Sequence, residues 1–552
     1  MTNHISKAEQ SLRKMPTIGY WTGNPEEVHF DHFNHDLLSK SLRQTIHIVF
    51  DSSNHKLGLT TSGTIQFDQP HSNEPYLGLI ASLPGIYPEW LGDRSFNEAH
   101  NLRFAYVGGA MARGICSSRI VIQLAKMGGM AFFGSAGLRP EVIEKAIDEI
   151  SQALDSSGLS WGCNLIHSPN EPQMEQQVVD LYLRKKVRRV SASAFMKLTK
   201  PVVQYACSGL FKDQNGEICR TNFLFGKISR EEVARHFLSP APKKILDDLV
   251  NTGSLTQEEA DLAQQIPLSE DIIVESDSGG HTDNRPLNAL FPTIRYQANR
   301  LAEQHGYRRA IRLGAAGSLG TPIGVAAAFA LGAAFVVLGT VHQASVESGI
   351  ADSSRDMLSK AKLSDVVMTA SADMFELGVK VQVLKRGTLM GVRGNKLYDI
   401  YSRYNSIEEI PASLKTQIEN QIFGMTLEAV WQKTETFFEK VDPRMLETAA
   451  KDPKKKMALV FRWYIGNSSR WPITGEESRQ ADYQIWCGPA MGSFNSWVKN
   501  SFLEPPKDRH IQQIALNILE GATLITRANQ LRTFGVPVDQ DTYITSPVPL
   551  KL

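Results

Sequence analysis

A chain of 552 residues, 42% of them hydrophobic, can hold a large core and more than one domain. A net charge of +1 leaves no electrostatic case for nucleic acid, and no apolar run reaches the length of a membrane span. The five cysteines (Cys116, Cys163, Cys207, Cys219, Cys487) form no CxxC pair, so neither a zinc site nor a disulfide framework is indicated.

Met1–Lys14 is polar and has no signal-peptide core, from which a cytoplasmic address is expected. The next seventy residues carry a weak pattern. Thr45–Phe50 and Leu57–Thr61 read as strands around the polar turn Asp51–Lys56. Residues 1–95 are expected to form an N-terminal cap segment, either a small β-rich cap or a docking arm.

From Arg103 the pattern is regular. Strands are predicted at Phe104–Val107, Met130–Phe133, Trp161–Ile166, Val187–Ala192 and Phe223–Ile228. Helical stretches separate the first four, at Ser117–Met127, Pro140–Ala153 and Pro172–Arg184. Three further units follow in Asp271–Thr340. Ile272–Val274 is a short apolar strand with Gly279-Gly280-His281 at its tip. Ala310–Gly314 is the next, opening into GAAGSLG and then a helix with Pro322 in its first turn. Ala334–Leu338 is the last, ended by Gly339-Thr340. About eight such β/α repeats give an α/β fold, a closed (β/α)8 TIM barrel over residues 96–405.

Two stretches break the repeat. Val202–Cys219 reads as a strand pair around Asp213–Gly216. Residues of about 230–268 read as a helical insertion, expected to lie over the barrel mouth, with a cap-like Thr256-x-x-Glu259. A long C-terminal helical region, 406–552, follows the barrel. Its stretch Lys451–Asn495 is rich in aromatics and is expected, with the insertion, to give the site a wall and a docking surface. Lys454–Lys456 reads as a solvated turn.

Working residues of a β/α barrel lie at the C-terminal strand ends. Here these ends carry Gly109-Ala110-Met111, Asn164, Lys227, Ser276 to His281, Gly317-Ser318 and Gly339-Thr340. They contain no carboxylate pair, no metal-type cluster, and no serine or cysteine elbow. They suit a planar cofactor with a phosphate tail instead. Glycines such as Gly109 and Gly280 let backbone approach a flat ring. Backbone N–H groups at Gly317, Ser318, Gly339 and Thr340 can bind phosphate. Asn164 can hydrogen-bond ring edges, and Lys227 can neutralise charge on a reduced ring. Plain alternatives stand beside these: a tight turn at Gly314–Gly320, and a buried asparagine that satisfies loop backbone at Asn164.

At these residues the chain resembles the PfaD family of flavin-dependent, trans-acting enoyl reductases of polyunsaturated fatty acid and polyketide synthases. These are relatives of nitronate monooxygenase. The stretches that carry the resemblance are LPGIYPEWLGDRSF, YVGGAMARGI, KISREEVARHFLSPAP, ESDSGGHTDNRP, GAAGSLGTP, ADMFELGVKVQVLKRGT, KKKMALVFRWYIG and DYQIWCGPAMGSFNSW. The resemblance implies an FMN-bound barrel with phosphate at Gly317-Ser318 and Gly339-Thr340; relatives often have glycine where this chain has Ser318. It implies NADPH as reductant, His281 near the flavin, and enoyl thioesters brought by acyl carrier protein domains as substrate. A nitronate monooxygenase and a non-catalytic, flavin-binding assembly subunit are the alternatives. The oligomeric state, with a homodimer among the options, is left open.

Overall fold

The computed structural model describes residues 16–68, 75–168 and 172–551, so Met1–Lys14 lies outside the described residues. Five antiparallel strands come first: β1 (Gly19–Thr22), β2 (Ile46–Asp51), β3 (Lys56–Thr60), β4 (Thr64–Gln66) and β5 (Tyr76–Leu83), in the order β3-β2-β5-β1-β4. The two predicted strands are β2 and β3, paired from His47↔Thr60 to Asp51↔Lys56. Side chains alternate across the sheet. Trp21, Val49 and Leu79 pack together on one face. Ile46, Ile48 and Leu59 pack on Leu524, Ala528 and Leu531 of the late helix Ile511–Thr533.

The barrel strands are β6 (Tyr106–Gly108), β7 (Met130–Phe133), β8 (Gly162–Ile166) and β9 (Arg189–Ser193), then, after the hairpin β10 (Phe211–Lys212) and β11 (Ile218–Cys219), β12 (Phe223–Ile228) and β13 (Asp271–Glu275). The two-residue β14 (Gly280–His281) stands apart, and β15 (Arg312–Ala316) and β16 (Phe335–Leu338) complete the set. Strand order is β6-β7-β8-β9-β12-β13-β15-β16, with β16 pairing back to β6 in parallel. This is the expected TIM barrel. Its strands are short runs buried on both faces, as parallel strands covered by helices must be.

Barrel filling fixes which end can carry a site. Phe132, Phe225, Ile273, Phe335 and Val337 occupy the interior. Phe96, from the helix Arg94–His100 ahead of β6, stacks on Phe335 with ring centroids 4.1 Å apart. His100 Nε2 lies 3.0 Å from Asp271, and Arg312 grips the same carboxylate through two bonds of 2.6 and 2.8 Å. Asp271 and Arg312 begin their strands, so this plug closes the N-terminal face, the side that serves stability. Burial pushes the Asp271 carboxyl up, but His100 and Arg312 more than offset it and hold the group well below the usual carboxylate range.

Several expectations are corrected. Of Val202–Cys219 only the hairpin is extended; Lys200–Cys207 is a helix with Pro201 in its first turn. Burial of Val202, Val203, Tyr205 and Cys207 against the barrel overrides the β preference of the valines. The insertion is not a lid. Glu231–Leu238 packs beside Leu287–His305 as a barrel helix. Lys243–Asn251 and Gln257–Ala263 pack on the outer side of Lys200–Cys207, tied by Lys200–Asp248 (3.0 Å) and by the Gly209 N–H to Glu259 (2.6 Å). The capping box at Thr256 and Glu259 forms as read.

After β16 the chain departs before supplying a barrel helix. It forms the antiparallel pair β17 (Val366–Ala370) and β18 (Lys380–Leu384), to which β14 adds in the order β14-β18-β17. Helices from Met390–Arg403 to Trp471–Thr474 follow, and the chain returns where Val383 bridges Trp486. Ile511–Thr533 then fills the last helix position, between Pro322–Ala330 and Ser118–Met127. Gly521 permits this: a Cβ there would lie 2.7 Å from Pro322 Cβ. Residues 406–552 therefore include a barrel helix as well as the added helices.

Most aromatics of Lys451–Asn495 are core rather than surface: Phe461, Tyr464, Tyr483 and Phe494 are fully buried within the added helices, while Trp463 and Trp486 are half-buried. Lys454–Lys456 is not a solvated turn either. Lys454 donates to the carbonyls of Tyr401 and Tyr404, Lys455 pairs with Glu376, and Lys456 lies over the Trp431 ring. Among the described residues no helix is long and apolar enough to cross a membrane.

Candidate active site

The predicted tips gather at the C-terminal end of the barrel and touch in pairs. Gly109 donates its N–H to Leu338 O (2.8 Å), and a Cβ on Gly109 would lie 3.7 Å from Gly339 Cα. A Cβ on Gly339 would lie 3.9 Å from Met111 Cγ. The first and eighth tips thus meet across Gly109-Ala110-Met111 and Gly339-Thr340.

The sixth and seventh tips meet likewise. Ser276 gives both its N–H and its hydroxyl to Ala316 O, each at 2.9 Å. Gly317 has φ +83°, and a Cβ there would lie 2.6 Å from Ser276 O. This position demands glycine on both counts. Ser318 also turns left-handed (φ +53°), and its hydroxyl donates to Asp277 O (2.8 Å). The added hydroxyl is spent on the turn. The backbone N–H groups of Gly317, Ser318, Gly339 and Thr340 find no protein acceptor among the described residues. Two turns of free N–H groups, one of them with no room for a Cβ at Gly317, fit a phosphate.

Lys227 does not stand alone. Its Nζ lies 2.8 Å from Glu275 on the neighbouring strand, and both side chains are mostly buried. Asn164 is buried and gives both amide hydrogens to the protein, to Ser191 O (2.9 Å) and Ser193 Oγ (2.5 Å). It locks β8 to β9, which leaves Oδ1 as its remaining polar atom.

His281 sits on β14, held to β18 by the register Gly280↔Gln382 and His281↔Val381. Its Nε2 lies 3.3 Å from Asp373 Oδ1, in the β17–β18 connection. Burial pushes the Asp373 carboxyl up, but His281 and Ser371 hold it well below the usual range. The preceding glycines have a structural cause. A Cβ on Gly279 would lie 2.9 Å from Cys487 N, and one on Gly488 would lie 2.8 Å from Gly279 N. Two backbones cross in contact there, and Gly280 (φ +83°) turns the chain out of the crossing. Gln382 Nε2 fastens β18 to the tip through Asp277 Oδ1 and Ser278 O, both at 2.7 Å.

Sequence reasoning missed Asp373 and Glu275, whose roles depend on strands far apart in the chain. It also missed His167, which follows β8 directly. The His167 ring stacks on Phe195 at 5.1 Å, and its Nδ1 lies 3.1 Å from the buried Glu175. A histidine just beyond a strand end was the available signal. Cys116 and Cys163 are buried thiols whose pKa burial pushes up, away from the reactive range.

Residues 404–483 match the family described as the inserted helical domain of [acyl-carrier-protein] S-malonyltransferase. The chain is 44% identical over 449 residues to a polyunsaturated fatty acid synthase protein of Thraustochytrium sp., covering 80% of this chain and 30% of that protein. It is 41% identical over 442 residues to the polyketide biosynthesis protein PksE of Bacillus subtilis, covering 80% of this chain and 57% of the relative. The chain therefore spans less than two thirds of either curated relative. The enoyl reductase domain of MlnA, from the macrolactin biosynthesis cluster of Bacillus amyloliquefaciens, is a different case. It is 38% identical with a TM-score of 0.77, over 81% of this chain and 99% of that domain. The chain belongs to the PfaD-like enoyl reductase family. Two of the resemblance stretches, ESDSGGHTDNRP and DYQIWCGPAMGSFNSW, are the segments that cross at Gly279 and Gly488.

Proposed function

We propose that the chain is a trans-acting enoyl reductase that uses FMN and NADPH to reduce the 2,3 double bond of enoyl thioesters carried on acyl carrier protein domains of a polyunsaturated fatty acid or polyketide synthase. The observation that carries this reading is the match to an enoyl reductase domain over 99% of that domain's length. Bound FMN would supply a carrier that takes hydride from NADPH and passes it to the β-carbon. Gly317, Ser318, Gly339 and Thr340 would hold its phosphate through backbone N–H groups, and Gly109-Ala110-Met111 would lie beside it. Gly280, Ser276 and Asn164 shape the surrounding wall, and Lys227, neutralised in part by Glu275, adds a tethered cation.

His281 would act on the substrate. Hydride addition puts negative charge on the thioester oxygen, and a proton must reach the α-carbon. Asp373 takes the Nε2 side of the imidazole, so Nδ1 is the atom left to face a carbonyl oxygen. Anaerobic mixing of the flavin-loaded protein with NADPH and then crotonyl-pantetheine tests the reading. Reoxidation by the thioester supports it; a reduced flavin that the thioester leaves reduced, and that only oxygen or a nitronate added afterwards reoxidises, rejects it.

A further inference from the structure

Two guanidinium groups at the barrel mouth have no protein acceptor among the described residues. Arg113 lies in the loop after β6, and Arg470 joins the helices Pro453–Ser468 and Trp471–Thr474. Neither side chain hydrogen-bonds to another described residue. Arg470 is exposed, but Arg113 is half-buried, where an unpaired guanidinium is costly.

The position of Arg113 is enforced. Its backbone is left-handed (φ +57°), a region that disfavours long side chains, and such outliers collect at functional sites. The turn is fixed by Arg113 N–H to Ala136 O and Gly114 N–H to Gly134 O, both 2.8 Å. This lays the side chain over the second strand tip: a Cβ on Gly137 would lie 3.4 Å from Arg113 Cγ and 4.0 Å from its Cζ. Arg470 reaches the same rim through a chain of contacts. Pro472 O accepts from Ala351 N–H (3.1 Å), and Gly349 N–H donates to Ile115 O (3.0 Å). Burial and then the Arg470 charge lower the Arg113 pKa, and Asp373 opposes them.

We propose that Arg113 and Arg470 bind a phosphate ester other than the flavin's, at the rim of the mouth above the second strand tip. A phosphate relieves the repulsion between two like charges and matches the planar fork of each guanidinium. The assignment rests on the enoyl reductase reading, under which two phosphate-bearing molecules approach this rim. One is a phosphopantetheine thioester and the other a dinucleotide; the chemistry they share is the phosphate ester.

The test is calorimetric titration of the flavin-loaded protein with two matched pairs: pantetheine 4′-phosphate against pantetheine, and 2′,5′-ADP against adenosine. In at least one pair the phosphorylated member should bind tenfold or more tightly than its partner. Arg113→Asn and Arg470→Gln should each weaken that member about tenfold, the scale of one charge-assisted hydrogen bond. Binding of the unphosphorylated member should not change. The pair that responds identifies the source of the phosphate. Asparagine tolerates the left-handed backbone at position 113, and an unchanged thermal midpoint checks that the turn survives. Should it not survive, the exposed Arg470→Gln carries the test alone. Equal binding of both members of each pair by the parent protein overturns the proposal, and so does a phosphate preference that Arg470→Gln leaves intact. The titration requires no turnover, so a protein that keeps the preference but reduces no enoyl thioester would reject the reductase reading alone.

Discussion

His281 Nε2 lies 3.3 Å from Asp373 Oδ1, which brings β14 against the turn between β17 and β18 in a small sheet separate from the barrel. The contact is an ion-pair approach rather than an aligned hydrogen bond, and it sets the carboxylate beside one ring nitrogen. His281→Ala should keep the fold and the bound flavin but slow the oxidative half-reaction with enoyl thioester by about 10²-fold or more. The reductive half-reaction with NADPH should change far less, since it needs no proton from this residue. Asp373→Asn should slow the thioester step by about tenfold, and the double variant should be no slower than His281→Ala, because both act through one ring. Stopped-flow rates of the two half-reactions decide this; additive losses would separate the residues.

Gly317 is the most constrained point of the phosphate turn. Gly317→Ala places a Cβ against Ser276 O and forces a left-handed backbone on a residue that resists it, at a cost of about 1–3 kcal/mol. The sixth and seventh tips must then part, and purified protein should carry much less flavin. Ser318→Gly removes only the bond to Asp277 O and should retain flavin. Flavin absorbance per protein, with the thermal midpoint as control, measures both. Full flavin in Gly317→Ala would place the phosphate elsewhere.

These tips were legible because of their composition. Parallel strands covered on both faces are uninterrupted apolar runs, so Ile272–Val274 and Ala334–Leu338 stand out, and the small residues after them mark the turns. Partners were not legible. Nothing local to Lys227 points to Glu275, and nothing local to His281 points to Asp373, because each pair forms only when distant strands align. The helix Ile511–Thr533 read as part of a tail for the same reason: a long excursion separates it from β16. Arg230–Gln265 showed amphipathic helices, but helical periodicity says that one face is buried and not which neighbour buries it. The glycines before His281 were read as room for a ligand, yet Gly279 serves the backbone of Cys487.

The barrel base gives a stability prediction. Asp271 is fully buried between His100 and Arg312, so Asp271→Asn leaves a buried guanidinium without its carboxylate. The variant should lose about 3–5 kcal/mol, read from urea unfolding at pH 7. A loss below about 1 kcal/mol would mean that water or another group compensates Arg312.

A second buried histidine predicts acid sensitivity. His342 Nε2 is 2.7 Å from the Tyr106 hydroxyl, and burial lowers the His342 pKa to about 3. The unfolded chain, with an ordinary value near 6.5, binds this proton at a higher pH than the folded one. Stability from this group is therefore full above about pH 6.5 and is lost as pH falls toward 3, by about 1.4 kcal/mol per pH unit. Between pH 6.5 and 5 the parent should lose about 1.6 kcal/mol through His342, since the full slope is reached only below about pH 6. His342→Gln, compared with the parent at each pH, should lose correspondingly less over that range. Identical slopes in urea titrations would mean that His342 is protonated in the fold.

The most direct measurement is NADPH consumption by the flavin-loaded protein, under anaerobic conditions, with and without crotonyl-pantetheine. The account predicts slow or single-turnover oxidation without thioester, and steady oxidation with it, forming one butyryl thioester for each NADPH consumed. NADPH oxidation that ignores the enoyl thioester, or depends on oxygen or a nitronate, would contradict it.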